Sequence, residues 1–316
     1  MAASESVAKT FTIFHVPYGV VTKKNLNDLC NYKVIVLANV AMMDDKERDA
    51  IRGFVRNGGR IYASKETSEI DADGYFQKSF LLEDLFGVKL VGKTSECTTY
   101  ISPSHSGQRY FPEVYTAEFP VSVKDSQTIV STDIDETERS KNSDEITVLA
   151  TQTLPYEYPS EERYASLLTT PPGRFTDRPA VTVHRYGKGL VMYSTAELET
   201  GDHISQREIF FNLIHSLFDD YTTKLTGYPT VEITRFEKNS PDTTIIHINN
   251  YQNDLPNLPI YDLVFNVKMY GKQADRVTDV LSGEQIPFIR GNDDIRITVP
   301  KLQDYRVLSI RYIGDR

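Results

Sequence analysis

A chain of 316 residues, 40% of them hydrophobic and 17 of them glycine, is long enough for about two domains and too apolar for a disordered or collagen-like polymer. Against 35 Lys plus Arg stand 44 Asp plus Glu, a balance of −9, and no window gathers the basic cluster that neutralises a phosphate backbone, so nucleic acid is not an expected partner. No stretch reaches the ~18 apolar residues of a membrane helix, no export signal is visible, and Cys30 and Cys97 are too few for a disulfide scaffold or a Cys-rich zinc site; the expectation is a cytoplasmic protein that meets no membrane.

Residues 6–14 read as a short helix ending before His15-Val16-Pro17-Tyr18, and Val20-Val21 as a short strand. The clearest segment is 33–64, which changes hydrophobic period twice and reads strand, helix, strand. Residues 33–39 are a nearly continuous β-branched run, suited to a strand covered on both faces. Asp44 or Asp45 caps the helix, and Asp44-x-x-Glu47 has the spacing of a capping box. Ala50, Ile51, Phe54 and Val55 form its apolar stripe, Gly58-Gly59 its stop, and 60–64 the next strand. A right-handed crossover is the default for such a unit, which predicts a parallel α/β sheet.

Downstream, 80–86 resembles a helix stopped by Gly87, and 88–91 a strand. From Cys97 to about Pro179 short β-prone runs alternate with Pro, Ser, Asp and Thr, including the polar stretch 131–145, as in a loop-rich insertion. Residues 180–193 carry a Gly-Lys-Gly turn between two alternating runs, a hairpin signal, and Phe210, Leu213, Ile214 and Leu217 give a helix over 205–218. Gly227-Tyr228-Pro229 marks the expected boundary between a first domain, 1–226, and a second, 227–316. In the second, strands at 231–236, 243–249, 261–269, 275–281, 295–299 and 305–312 predict a small antiparallel β-sandwich.

The runs Val16-Pro17-Tyr18-Gly19-Val20-Val21, Tyr32 to Val40, Phe54-Val55-Arg56-Asn57-Gly58-Gly59, Glu66-Thr67-Ser68 and Leu82 to Val88 together resemble the beta-galactosidase trimerisation domain found behind the catalytic barrel of glycoside hydrolase family 42. His247-Ile248-Asn249-Asn250-Tyr251, Val299-Pro300 and Tyr305 resemble the sandwich that follows it. The resemblance covers essentially the whole chain, only loosely over 97–179. It implies a flavodoxin-like layered sheet similar to the class I glutamine amidotransferase fold, a structural role between subunits, and as partners a catalytic barrel or further copies of the chain, with glycan reached through the parent enzyme. It also implies that a barrel and the first strand of the layered sheet are missing, as in a truncated chain, a gene fragment or one part of a split enzyme.

The residues themselves offer little catalysis. The strand-helix units are too few for the barrel that would hold two glycosidase carboxylates. At the turn after strand 60–64, where an amidotransferase-like fold would place a nucleophile, stands Ser64-Lys65-Glu66, without cysteine and without a Gly-x-Ser-x-Gly frame. Histidines 15, 105, 184, 203, 215 and 247 have no metal-ligand spacing, and His247 and His215 read as structural. Gly187-Lys188-Gly189 has no following helix to bind phosphate. No catalytic, cofactor or metal residue is therefore assigned. Glu66, Thr67, Glu69, Asp71 and Asp73 form an acidic loop at the carboxyl edge of the sheet, where open α/β sheets bind ligands, and are the candidate ligand or interface loop beside the plainer reading of a solvated turn. A carbohydrate-binding module using Tyr156, Tyr158 and Tyr164, and a free-standing hydrolase or amidase, are the alternatives.

Overall fold

The computed structural model describes residues 2–131, 146–156, 171–218, 222–239, 242–252 and 256–313. Two compact units emerge: Met1–Val7 with Val20–Phe218, and Ala8–Gly19 with Asp219–Arg316. The division falls inside the first helix, α1 (Ala2–Ile13).

In the first unit, β1 (Val34–Leu37), α2 (Asp45–Arg56) and β2 (Arg60–Ser64) form the expected strand, helix and strand. Of the two candidate caps, Asp44 is the one used: its carboxylate accepts from Glu47 N at 2.9 Å, and the Glu47 side chain accepts from Asp44 N at 2.9 Å. β1 and β2 pair in parallel, Val34 opposite Arg60. Val20-Val21 is not a strand. Val20 is 74% exposed, and the chain goes directly into a 3-10 stretch, Lys23–Asn31, capped by Thr22.

Next come α3 (Glu83–Phe86), ended by left-handed Gly87, then β3 (Val88–Lys93), β4 (Thr98–Pro103), β5 (Val121–Lys124), β6 (Gln127–Ser131), β7 (Thr147–Pro155), β8 (Pro172–Tyr186), β9 (Gly189–Ser194) and α4 (Ile204–His215). Seven strands make one sheet in the order β1-β2-β9-β8-β7-β4-β5. Only β1, β2 and β9 are parallel; the pairs from β9 to β5 are antiparallel, so the sheet is mixed and the expected parallel sheet is confined to one side. The cause is local. The Gly187-Lys188 turn joins β8 to β9 in two residues, too few for the crossover a parallel pair needs. Gly189 is required there, because a Cβ would lie 2.2 Å from the Gly59 carbonyl oxygen.

β2 is covered on both faces. Ile61 and Ala63 join a core with Leu37, Val55, Leu85, Phe86, Val191 and Tyr193, while Tyr62 points to the other face and meets Phe210 of α4 edge-on at 5.1 Å. The predicted stripe Phe210, Leu213, Ile214 and Leu217 is buried.

The second unit contains β10 (Thr223–Leu225), β11 (Val231–Asn239), β12 (Asp242–Asn250), β13 (Ile260–Lys268), β14 (Ala274–Asp279), β15 (Phe288–Arg290), β16 (Asp294–Leu302) and β17 (Tyr305–Tyr312). They form two four-stranded antiparallel sheets, β10-β13-β16-β15 and β11-β12-β17-β14, around one core that includes Phe265, Ile297, Ile246, Ile248, Leu308 and Ile310. This is the expected sandwich, with β10 and β15 added. Three residues each, they are too short for alternation to reveal.

Candidate functional site

The carboxyl ends of β1, β2 and β9 meet at one edge of the sheet, the place where an open α/β sheet leaves backbone and side chains free for a ligand. Here those groups are used internally. Asn39, in the left-handed region at φ 49°, donates its side-chain N–H to Glu197 Oε1 at 2.7 Å and accepts from Glu66 N at 3.1 Å. Its backbone N–H donates to Ser64 Oγ at 3.0 Å. Lys65 turns the chain sharply at φ 48°, and its ammonium lies 3.2 Å from Asp125 and 4.0 Å from Glu197. The Tyr193 hydroxyl donates to the Lys65 carbonyl at 2.6 Å.

Beneath this layer is a carboxyl group with no exposure. Glu199 accepts from Ser64 Oγ at 2.5 Å and from the Tyr62 hydroxyl at 3.0 Å. Burial pushes its pKa up to about 7, against the hydrogen bonds from Ser64, its own backbone and Tyr62, with the Glu197 charge adding to the rise. Burial and the nearby Glu199 charge likewise push the Tyr62 hydroxyl well above its ordinary range. Ser64 itself is 0% exposed, and its hydroxyl is held by Glu199 and the Asn39 amide. No substrate carbonyl reaches it in this arrangement, so the geometry does not suit it to be a nucleophile.

The acidic loop divides into two parts. Glu66 and Glu69 share Lys93, at 2.5 and 3.6 Å. Glu69 is 2% exposed and accepts from the Gln127 amide; burial raises its pKa, Lys93 pulls it down, and Glu66 pushes it up. Thr67 is buried, donates to the Ser64 and Leu37 carbonyls at 2.6 and 3.1 Å, and accepts from Val40 N, so it pins the turn to the sheet. Asp71 and Asp73 lie apart from this group. Asp71 accepts from Asp73 N, Tyr75 N and the Gln77 amide, and serves as a turn residue; Asp73 is exposed. The five candidates are therefore not one convergent site. Among the described residues no group of three His, Cys, Asp or Glu side chains is placed to hold a metal ion.

Glu197, Glu199, Asn39, Lys93 and Gln127 are bonded at this edge and escape sequence reading, because these partners lie 25 to 158 positions away. The one local signal is Asn39 at the end of a β-branched run, since Asn tolerates the left-handed backbone. Among the histidines, His184 meets the Leu85 carbonyl at 2.9 Å, and His247 bonds to the Tyr305 hydroxyl. Tyr156 is 65% exposed, whereas Tyr158, Tyr164 and most of the polar stretch 131–145 lie outside the described residues.

No protein-family model matches this sequence, and no curated protein matches it. Its fold is similar to parts of solved glycoside hydrolases. Alpha-L-fucosidase isoenzyme 2 from Paenibacillus thiaminolyticus matches with a TM-score of 0.77 at 17% identity, over 98% of this chain and 45% of its own. A beta-galactosidase from Bacillus circulans sp. alkalophilus matches at 0.64 and 14% identity, over 98% and 37%. A GH42 beta-galactosidase from G. stearothermophilus matches at 0.60 and 16% identity, over 98% and 36%. The chain thus spans less than half the length of these structures, and at such identity the likeness is one of fold.

Proposed function

We propose that this chain is a non-catalytic structural region of a glycoside hydrolase, supporting a catalytic barrel and joining subunits. The observation that carries this reading is the match of 98% of the chain to only 36–45% of three glycoside hydrolases. The largely saturated carboxyl edge supports it, since Ser64, Glu66, Thr67 and Glu69 are each bonded within the chain. The three parallel strands and α2 are the part on which the flavodoxin-like, amidotransferase-like reading of the first unit rests.

The loop supplies a surface for such a role. Ile70 bridges both Met42 and Phe76, which places three apolar side chains side by side, and Met42, Tyr75 and Phe76 are 51%, 69% and 68% exposed. This pairing of Met42, Ile70 and Phe76, with the Lys93 ammonium 5.7 Å from the Phe76 ring, is the docking face we propose for a barrel domain or a second copy. Sedimentation velocity is expected to show concentration-dependent association that Phe76→Asp abolishes, and aryl galactosides and fucosides are expected to remain uncleaved by the chain alone. A monomer at every concentration would remove the self-association half of the proposal, and turnover lost with Ser64→Ala would overturn the non-catalytic half.

A further inference from the structure

Met42 and Met43 are neighbours in sequence and opposites in the fold. Met42 pairs in parallel with Ile70, and hydrogen bonds on either side fix the pairing: Ile70 N donates to the Ala41 carbonyl at 2.9 Å, and Met43 N donates to the Ile70 carbonyl at 3.1 Å. Successive side chains of paired, extended backbone point to opposite sides, so when one of the two methionines faces the core the other faces out. Met43 takes the inner side, 2% exposed in the core with Leu37, Val55 and Phe80, and the Arg48 guanidinium donates to its carbonyl at 3.0 Å. Met42 takes the outer side, 51% exposed, and the bonds to Ile70 hold it there.

The other methionines among the described residues are covered: Met192, in β9, is 1% exposed, and Met269, after β13, 3%. A thioether reacts where an oxidant reaches its sulfur, and a buried one waits for the structure to open. Met42 is therefore the one of these four that peroxide reaches in the folded chain. In that step a sulfur lone pair attacks one peroxide oxygen, the O–O bond breaks, the thioether is oxidised to the sulfoxide and the peroxide is reduced to water. The surroundings give the reaction a consequence. Met42 and Phe76 flank Ile70 across two bridges, Met42 and Phe76 are both exposed, and a sulfoxide sets a polar, hydrated S–O group into this apolar surface.

We propose that Met42 is a redox-sensitive site, at which hydrogen peroxide forms methionine sulfoxide ahead of Met43, Met192 and Met269 and so turns the apolar surface around Ile70 polar. That the change also loosens docking rests on the structural role proposed above; the site of oxidation and the loss of apolar surface do not.

The test treats the full chain with dilute hydrogen peroxide after the two exposed cysteines, Cys30 and Cys97, have been alkylated. Peptide mass spectrometry is expected to find one oxygen gained at Met42 at least about tenfold faster than at Met43, Met192 or Met269, whose oxidation requires opening of the chain. The oxidised chain should leave a hydrophobic-interaction column earlier, and methionine sulfoxide reductase with a dithiol, which becomes a disulfide as the oxygen departs as water, should restore the original retention. Met42→Leu keeps the apolar side chain without the sulfur, and its retention should not respond to peroxide. The proposal is overturned if a buried methionine takes up oxygen as fast as Met42, if retention is unchanged after Met42 is oxidised, or if Met42→Leu shifts as the wild type does. Sedimentation velocity of the same samples addresses docking separately: oxidised wild type should associate less than reduced, whereas a reduced chain that never associates would count against the docking reading and leave mass and retention to decide this one.

Discussion

Ser64 and Glu199, 135 positions apart in sequence, share a 2.5 Å hydrogen bond in which the serine hydroxyl donates, and neither residue is exposed. The bond ties the end of β2 to the 3-10 turn Leu198–Thr200 beyond β9. Asn39 N joins the same hydroxyl from the β1 side, so one small side chain links the ends of three parallel strands.

Glu199 makes stability depend on pH in a defined direction. Its carboxyl group ionises near pH 4.5 in the unfolded chain and near pH 7 in the native one, so the native state binds the extra proton between those values. The contribution is complete below about pH 4.5, is lost as pH rises through about 7, and is constant above that, with an upper limit of roughly 3 kcal/mol. Thermal melts between pH 4.5 and 8 are expected to show this fall in the wild type and a shallower one in Glu199→Gln, which carries no charge to bury. Parallel curves for the two proteins would refute the assignment.

Lys93 is expected to matter more than its partner Glu66. Lys93→Met leaves Glu69, whose side chain is 3% exposed, with only the Gln127 amide, and should cost about 1–2 kcal/mol. Glu66→Gln removes only the less buried of the two carboxylates that share Lys93, and should cost less than about 1 kcal/mol. Urea unfolding of the two variants checks the order.

Two glycines should respond to alanine with opposite sign. At Gly189 a Cβ meets the Gly59 and Val55 carbonyl oxygens at 2.2 and 2.3 Å, so Gly189→Ala forces backbone to move and should destabilise by at least about 2 kcal/mol. At Gly53, inside α2, nothing lies within 4 Å of the added atom, and Gly53→Ala should stabilise by about 0.5–1 kcal/mol. Calorimetric melting temperatures distinguish them directly.

Asp71→Ala should leave global stability within about 0.5 kcal/mol, because the Asp73 and Tyr75 amides that it releases lie in an exposed turn where water replaces the carboxylate. If the patch on Met42, Tyr75 and Phe76 mediates association, the same variant should weaken association while melting is unchanged, because Asp71 shapes the turn that presents both rings.

Local order alone determined the strand-helix-strand unit from β1 to β2, the capping box at Asp44, the Gly187-Lys188 hairpin, the helix stripe at Phe210 and six sandwich strands. In each of these the signal lies within a few residues, as periodicity, a cap or a turn. Tertiary structure alone decided the rest. It set how far the parallel sheet extends, since strand neighbours are chosen by long-range pairing rather than by residue pattern. It also decided which polar residues converge: the loop 66–73 gave a compact acidic string, yet the fold directs Glu66 and Glu69 to Lys93 and Asp71 to its own turn. Conversely, Glu199 beside Ser64 is a juxtaposition made by chain segments 135 positions apart. Desolvation and unpaired polar atoms arise only once the chain has closed around them, which is why composition and spacing bounded what this protein is made of while packing decided which polar groups are sealed from solvent.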